Sequence, residues 1–210
     1  MARNTEAVCR KCRREGTKLM LKGLRCESDR CAFTRRATPP GMHGMKRGKL
    51  TDYGLHLREK QKVKAYYGVL ERQFRKYFTM AERGKGDTGK NLMSLLERRL
   101  DNVVYRLTFA TSRSQARQFV CHGHVLVNGR RVDIPSYQVR IGDEITVRKR
   151  QGSVKLIREA IDEAARDVPD YLLRADEENP RGIVLRLPSA DDALQSISVQ
   201  PALIVELCSK

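Results

Sequence analysis

The chain has 210 residues, 40% of them hydrophobic, with 42 Lys/Arg against 25 Asp/Glu, a net charge of +17 and a pI near 10.0. That length allows one or two domains with their own cores plus a short accessory element, and the charge points to a polyanionic partner. No stretch approaches the roughly 20 apolar residues of a membrane span, the start MARNTEAVCRKCRREG has no apolar signal core, and Trp is absent as an interfacial anchor; the expectation is a cytoplasmic protein with no membrane role. The charge is unevenly placed. Residues 1–150 carry 35 Lys/Arg against 14 Asp/Glu, whereas residues 151–210 carry 7 against 11, so a polyanion should meet the first three quarters.

In chain order the first constellation is Cys9-Arg-Lys-Cys12, followed by Cys26 and Cys31. A C-x2-C pair and a C-x4-C pair have the spacing of a four-thiolate zinc site, in which each pair offers two sulfurs to one tetrahedral ion. Two disulfides are the alternative, but they need an oxidising compartment. Four cysteines also suit an iron–sulfur cluster, so spacing leaves the metal open. With four protein ligands no coordination position is free, and the site is structural. Cys121 and Cys208 read as small buried thiols without a function.

From Phe33 to Leu50 the chain is basic, rich in Gly and Pro, and poor in core formers, which predicts an extended segment. Laid in a nucleic-acid groove it would put Arg35, Arg36, Lys46 and Arg47 on phosphates and His43 near a base or sugar. Helical spacing then dominates from Asp52 to Arg83, with Gly68 dividing two helices. Leu55, Val63, Tyr66, Leu70, Phe74, Tyr77 and Phe78 are the apolar bodies, and Arg58, Lys62 and Arg72 are among the interleaved cations. Adjacent Tyr66 and Tyr67 cannot both face one core, which leaves one to reach outward. Gly84 to Asn91 nearly matches a phosphate-cradling G-x4-G-K-[ST] loop, but Asn91 replaces the hydroxyl residue and a helix precedes it, so it reads as a flexible connector.

Ser94 to Arg150 forms a basic α/β module. Ser94 with Glu97, and Ser112 with Gln115, have capping-box spacing and predict two helix starts. Leu96, Leu100, Val103 and Leu107 share a face of the first helix, and Ala116, Phe119 and Val120 share one of the second. His124 to Val127, the turn Asn128-Gly129 and the return from Arg130 predict a hairpin. Val139 to Ile141, Gly142-Asp143 and Glu144 to Val147 predict another. The polar faces carry Arg98, Arg99, Arg106, Arg113, Arg117, Arg130, Arg131 and Arg140, with Arg113 and Arg117 on one side of the second helix. Beyond it, Val154 to Asp167 predicts an amphipathic helix, and Ile183 to Leu187 and Ala202 to Leu207 predict strands.

Together, Cys9-x2-Cys12 and Cys26-x4-Cys31, Pro39-Pro40-Gly41-Met42-His43-Gly44, the run Leu96 to Arg106, and Gly123-His124 with Val127-Asn128-Gly129 closely resemble the bacterial family of ribosomal protein S-four of the small subunit, nearly end to end. The resemblance implies a zinc-carrying N-terminal extension, a helical domain and an inserted RNA-binding domain of helices on a small antiparallel sheet. It implies direct binding of small-subunit ribosomal RNA early in assembly of the 5′ domain, contact with ribosomal protein S-five and other small-subunit proteins, and a place near the messenger-RNA entry path that affects decoding accuracy. Met42 stands where the family commonly has glutamine.

The expectation is therefore an α+β protein, not an enzyme and without a small-molecule substrate. Residues 1–50 form the zinc-binding basic extension, 51–90 the helical domain, 91–150 the RNA-binding domain, and 151–210 a helix and strands completing the two domains. One Zn2+ sits on Cys9, Cys12, Cys26 and Cys31. RNA is met by Arg35, Arg36, His43, Lys46, Arg47, Arg58, Lys62, Arg72, Arg98, Arg99, Arg113, Arg117, His124, Asn128, Arg130 and Arg131, since guanidinium groups bind phosphates bidentately and stack on bases. Other readings are a regulator binding RNA or DNA through a zinc module, and an RNA-modifying enzyme, for which the chain offers neither the length nor a nucleophile and base.

Overall fold

A computed structural model describes residues 5–44, 49–164, 166–175 and 179–209. The chain separates into two compact units, residues 1–93 with 194–210, and residues 94–193. Residues 151–210 are thus shared between them.

The first unit is helical. It contains α1 (Val8–Glu15), α2 (Leu24–Glu27), α3 (Ala32–Arg35), α4 (Asp52–Tyr67), α5 (Glu71–Glu82) and most of α6 (Thr88–Glu97). Thr51 caps α4 by accepting from the Gly54 N–H at 3.2 Å, and Gly68 ends it at φ 64°, in the left-handed region where only glycine is free of strain. The predicted break at Gly68 is therefore a helix stop. Val63, Phe74, Tyr77 and Phe78 are buried as expected, while Leu55 and Leu70 stay exposed. Tyr66 and Tyr67 are both buried and meet edge to face at 5.0 Å, against the expectation that one reaches outward. The reason is tertiary: α4 is packed by α1 and by α11 (Pro201–Ser209), so more than one of its sides is covered. Pro201–Ser209 is a helix where a strand was expected. Thr88 to Asn91 opens α6, with the Asp87 carboxylate accepting from the Lys90 N–H at 2.8 Å, so the connector is shorter than the sequence implies.

The second unit runs through α7 (Leu100–Arg106), α8 (Arg113–Cys121), β1 (Val125–Val127), β2 (Arg130–Arg131), β3 (Glu144–Val147), α9 (Gln151–Asp162), β4 (Leu172–Ala175), β5 (Arg181–Val184) and α10 (Ala190–Leu194). Its five strands are antiparallel in the order β2-β1-β3-β5-β4. Leu100, Val103, Ala116, Phe119 and Val120 from the helices, with Leu107 and Phe109 just after α7, bury with Val125, Val127, Ile145, Val147 and Val184 from the sheet. At Gly182 a Cβ would fall 2.5 Å from Leu107 side-chain atoms, so this strand lies directly on α7. The predicted hairpin forms, with Asn128 and Gly129 at φ 50° and 74°, the positive-φ pair that joins two strands in two residues.

Predicted features of this unit differ at Ser94 and at Val139 to Ile141. Ser94 lies inside α6 and donates to the Pro188 carbonyl at 2.8 Å instead of capping a helix. Ser112 does cap α8, accepting from the Gln115 N–H at 3.3 Å. Val139 to Ile141 does not pair with β3. Its place is taken by β1 and β5, while 135–139 runs beside the start of α7, where Leu100 N–H donates to the Tyr137 carbonyl and Val139 N–H to the Arg98 carbonyl. The strand β4 carried no turn-bounded alternation and was not expected. Among the described residues no helix is long and apolar enough to cross a membrane.

Candidate nucleic-acid interface and thiol cluster

Three of the six arginines between residues 98 and 131 that were expected to meet RNA, Arg99, Arg113 and Arg117, instead make bonds within the second unit. Arg99 is 1% exposed and holds Asp101 through two bonds, Nε to Oδ1 at 3.0 Å and Nη2 to Oδ2 at 2.8 Å. Arg117 donates to the same carboxylate at 3.2 Å. Arg113 is buried over the Tyr105 ring, 4.2 Å from its centroid, and its Nε donates to Asn102 Oδ1 at 2.9 Å. Asn102 in turn donates to Glu97 Oε2 at 2.6 Å, and Arg106 reaches both Glu97 oxygens. Tyr171 donates to Glu97 as well, at 3.2 Å; burial and that carboxylate push its hydroxyl far up, so it remains a donor. A buried charge is tolerated only when paired and hydrogen-bonded, and here each acid has several donors. Arg99 and Arg113, both expected at the RNA, are thus buried and bonded inside the second unit. Arg117 is mainly an ion-pair partner. Counting charges on a helix face could not reveal this, because the acids Glu97 and Asp101 were on the neighbouring turns of the same run.

What remains exposed lies around the hairpin and the chain after β3. Arg130 and Arg131 project from β2, both exposed, Arg131 in a loose pair with Asp133 at 3.6 Å. Asn128 is exposed too, but its amide is committed: Nδ2 donates to Asp143 at 2.9 Å and Oδ1 accepts from the Glu144 N–H at 2.9 Å. It shapes the turn. His124 is half-buried, edge-on to Phe119, with Nδ1 2.8 Å from Ser153 Oγ. Burial first, then His122, Arg150 and Arg148, hold its pKa below the ordinary imidazole value. Arg98 is half-buried and donates to the Val139 carbonyl at 3.2 Å; burial and then the nearby Arg140 pull its pKa down. Exposed Arg140, Arg148, Lys149 and Arg150 belong to the same unit and were not among the expected contacts. The unbroken Arg148-Lys149-Arg150 run was the available signal.

In the first unit Arg35, Arg36, His43 and Arg72 are exposed. Arg58 pairs with Glu15 at 3.1 Å and Lys62 with Glu59 at 2.5 Å, so both are largely committed within the fold. Lys46 and Arg47 lie outside the described residues.

Cys9, Cys12, Cys26 and Cys31 line one small cavity with Lys18, Lys22 and Phe33. All four are free thiols, and the last three are buried. Burial pushes the Cys12 and Cys26 thiols up, although the Lys22 N–H donates to Cys26 Sγ at 3.2 Å. At Cys31 burial acts the same way, but hydrogen bonds from Thr34 and Phe33 outweigh it and lower the pKa. Soft donors around one cavity, with N–H groups at their sulfurs, fit an ion that stabilises thiolates. Among the described residues, no three His, Cys, Asp or Glu side chains are placed to hold a metal ion as they stand. The identity and burial of the donors fit; their spacing does not by itself make a ligand shell.

Residues 3–97 match the family model described as ribosomal protein S4/S9 N-terminal domain, and residues 98–145 match the S4 domain. Over all 210 residues, and the full length of each relative, the chain is 57% identical to small ribosomal subunit protein uS4A of Symbiobacterium thermophilum. The same coverage holds at 55% for uS4 of Nitratidesulfovibrio vulgaris and 54% for uS4 of Thermoanaerobacter sp..

Proposed function

This chain belongs to the uS4 family of small ribosomal subunit proteins, and on that premise we propose that it binds 16S-type ribosomal RNA directly and nucleates assembly of the 5′ domain. The family is one of structural ribosomal constituents, not enzymes, and its place is the ribosome of the bacterial cytoplasm. The observation that carries the RNA reading is the exposed Arg130 and Arg131 on β2, directly after the two-residue turn that Asn128 pins. Folded RNA presents phosphates in a fixed arrangement and is recognised largely through shape, backbone and 2′-hydroxyls. Cations on a short hairpin over a packed sheet meet such a target with little loss of entropy.

The surface reading is narrower than the arginine count suggests: Arg130, Arg131, His124, Arg98 and Arg140 in the second unit, and Arg35, Arg36, His43 and Arg72 in the first. Contact with ribosomal protein S-five, nearness to messenger RNA at the entry path and an influence on translational accuracy follow from the same family premise. One Zn2+ on Cys9, Cys12, Cys26 and Cys31 would pin the N-terminal extension; it supplies cross-linking and no reaction.

The test is binding of a 5′-domain transcript of small-subunit ribosomal RNA against a structured control RNA of equal length. The chain should prefer the transcript, and Arg130→Gln with Arg131→Gln should weaken binding and make log K against log salt shallower by about 1.4 to 1.8. Equal affinity for both RNAs would remove the reading.

A further inference from the structure

An open groove of about 720 Å3 runs along α9, beyond both matched segments. Lys149, Arg150, Lys155 and Arg158 line it toward the start of the helix, and Glu159 and Asp162 follow further along. Arg148, Lys149, Arg150 and Lys155 are exposed and form no ion pair among the described residues. This sets them apart from Arg106 of α7 and Arg117 of α8, which pair with Glu97 and Asp101. The residue at the helix start, Arg150, provides no side-chain cap, so the first-turn N–H groups and the helix dipole add positive potential where the cations are gathered.

The groove is also joined to the face around β1. Ser153, in the first turn of α9, contacts His124 at 2.8 Å, and the Arg148 N–H donates to the His124 carbonyl at 2.8 Å. These bonds hold the cationic run and the helix start at a set position relative to the strand that carries the hairpin.

We propose that this groove holds a further run of RNA sugar–phosphate backbone, on Lys149, Arg150 and Lys155, with exposed Arg148 next to them in the chain. The inference rests on the reading that the chain binds small-subunit ribosomal RNA, and it extends that contact past residue 145. Lys149, Arg150 and Lys155 are exposed and form no ion pair among the described residues, and the groove is open along one side as a strand requires. Glu159 and Asp162 end the favourable stretch, so the backbone is held over the first turns of α9 only.

The full chain with Lys149→Gln and Lys155→Gln should bind the 5′-domain transcript about tenfold more weakly near physiological salt, with a salt slope shallower by about 1.4 to 1.8 for two lost phosphate contacts. The charge-matched pair Lys85→Gln and Lys90→Gln, exposed in the other unit, should change affinity less than about twofold. Equal losses in the two variants, or an unchanged affinity and slope in the first, would overturn the groove assignment. So would retained RNA binding with loss of an acidic polypeptide partner. Ultraviolet crosslinking of the unaltered complex gives a reading without substitution: nucleotide adducts on residues 148–158 are expected, and adducts confined to 98–145 refute the proposal. If the unaltered chain binds no transcript, the functional reading fails first, which is a different outcome from a bound complex indifferent to the groove.

Discussion

Asp101 shows how the role of a side chain is set by who stands next to it. It accepts from Arg99, Arg117 and the Asn102 N–H, inside a unit where Arg99 has almost no access to water. Removing it would leave buried guanidinium charge without its counterion. Asp101→Ala is expected to cost about 3–5 kcal/mol, read as a lower urea midpoint. For the same reason Arg113→Glu with Arg117→Glu would report on folding before it reported on RNA. Asp192 is the acid with a legible pH signature. The Arg186 guanidinium, followed by bonds from Ser189, holds its carboxyl down at about 2. A depressed carboxylate contributes stability above its ordinary value near 3.8, and that contribution is lost as pH falls toward 2. Asp192→Asn should therefore lower thermal stability at pH 6 and narrow its difference from the unaltered chain by pH 2, in parallel melting curves.

At the scale of elements, short pieces are specified by contacts across the unit as much as by their own residues. The β1–β2 hairpin needs nothing beyond Asn128-Gly129, whose positive φ values suit those residue types. By contrast β5 is defined by what lies under it. Gly182 allows Leu107 to pack where any side chain would intrude. Gly182→Ala should destabilise the second unit by about 1–3 kcal/mol through overpacking, and Gly182→Ala with Leu107→Ala should recover part of that loss; a purely additive double variant would show that the contact is not the cause. The misread second hairpin has the same lesson. Glu144 to Val147 has the alternation of a strand, but alternation does not name a partner, and β3 pairs with β1 and β5.

For the whole molecule, charge sorts into two classes. One is internal: Glu97, Asp101, Glu15 and Glu59 each hold basic side chains. The other is exposed, from Arg130 to the run after β3, with Arg131 in a loose pair to Asp133. Exposed Arg35, Arg36 and Arg72 of the first unit belong with this second class. The thiol cluster belongs to the first unit, and removal of the proposed Zn2+ should act there. Chelation of the purified protein is expected to speed amide exchange in residues 5–44 while the core of residues 94–193 keeps its protection, measured by hydrogen-exchange mass spectrometry. Unchanged exchange in 5–44 would argue against a bound ion in the isolated protein.

From its residues alone the chain determined its excess of positive charge, the Gly68 helix stop, the Ser112 cap, the Asn128-Gly129 hairpin and the spacing of four cysteines. These are local properties, carried by one residue or by neighbours within a turn. Whether an arginine faces RNA or a buried carboxylate, whether Ala202 to Leu207 is strand or helix, and which strand receives β3 were decided only by tertiary structure. Each depends on which distant surface covers the segment, and covering is what turns a solvated cation into a paired one and an apolar run into one side of a helix.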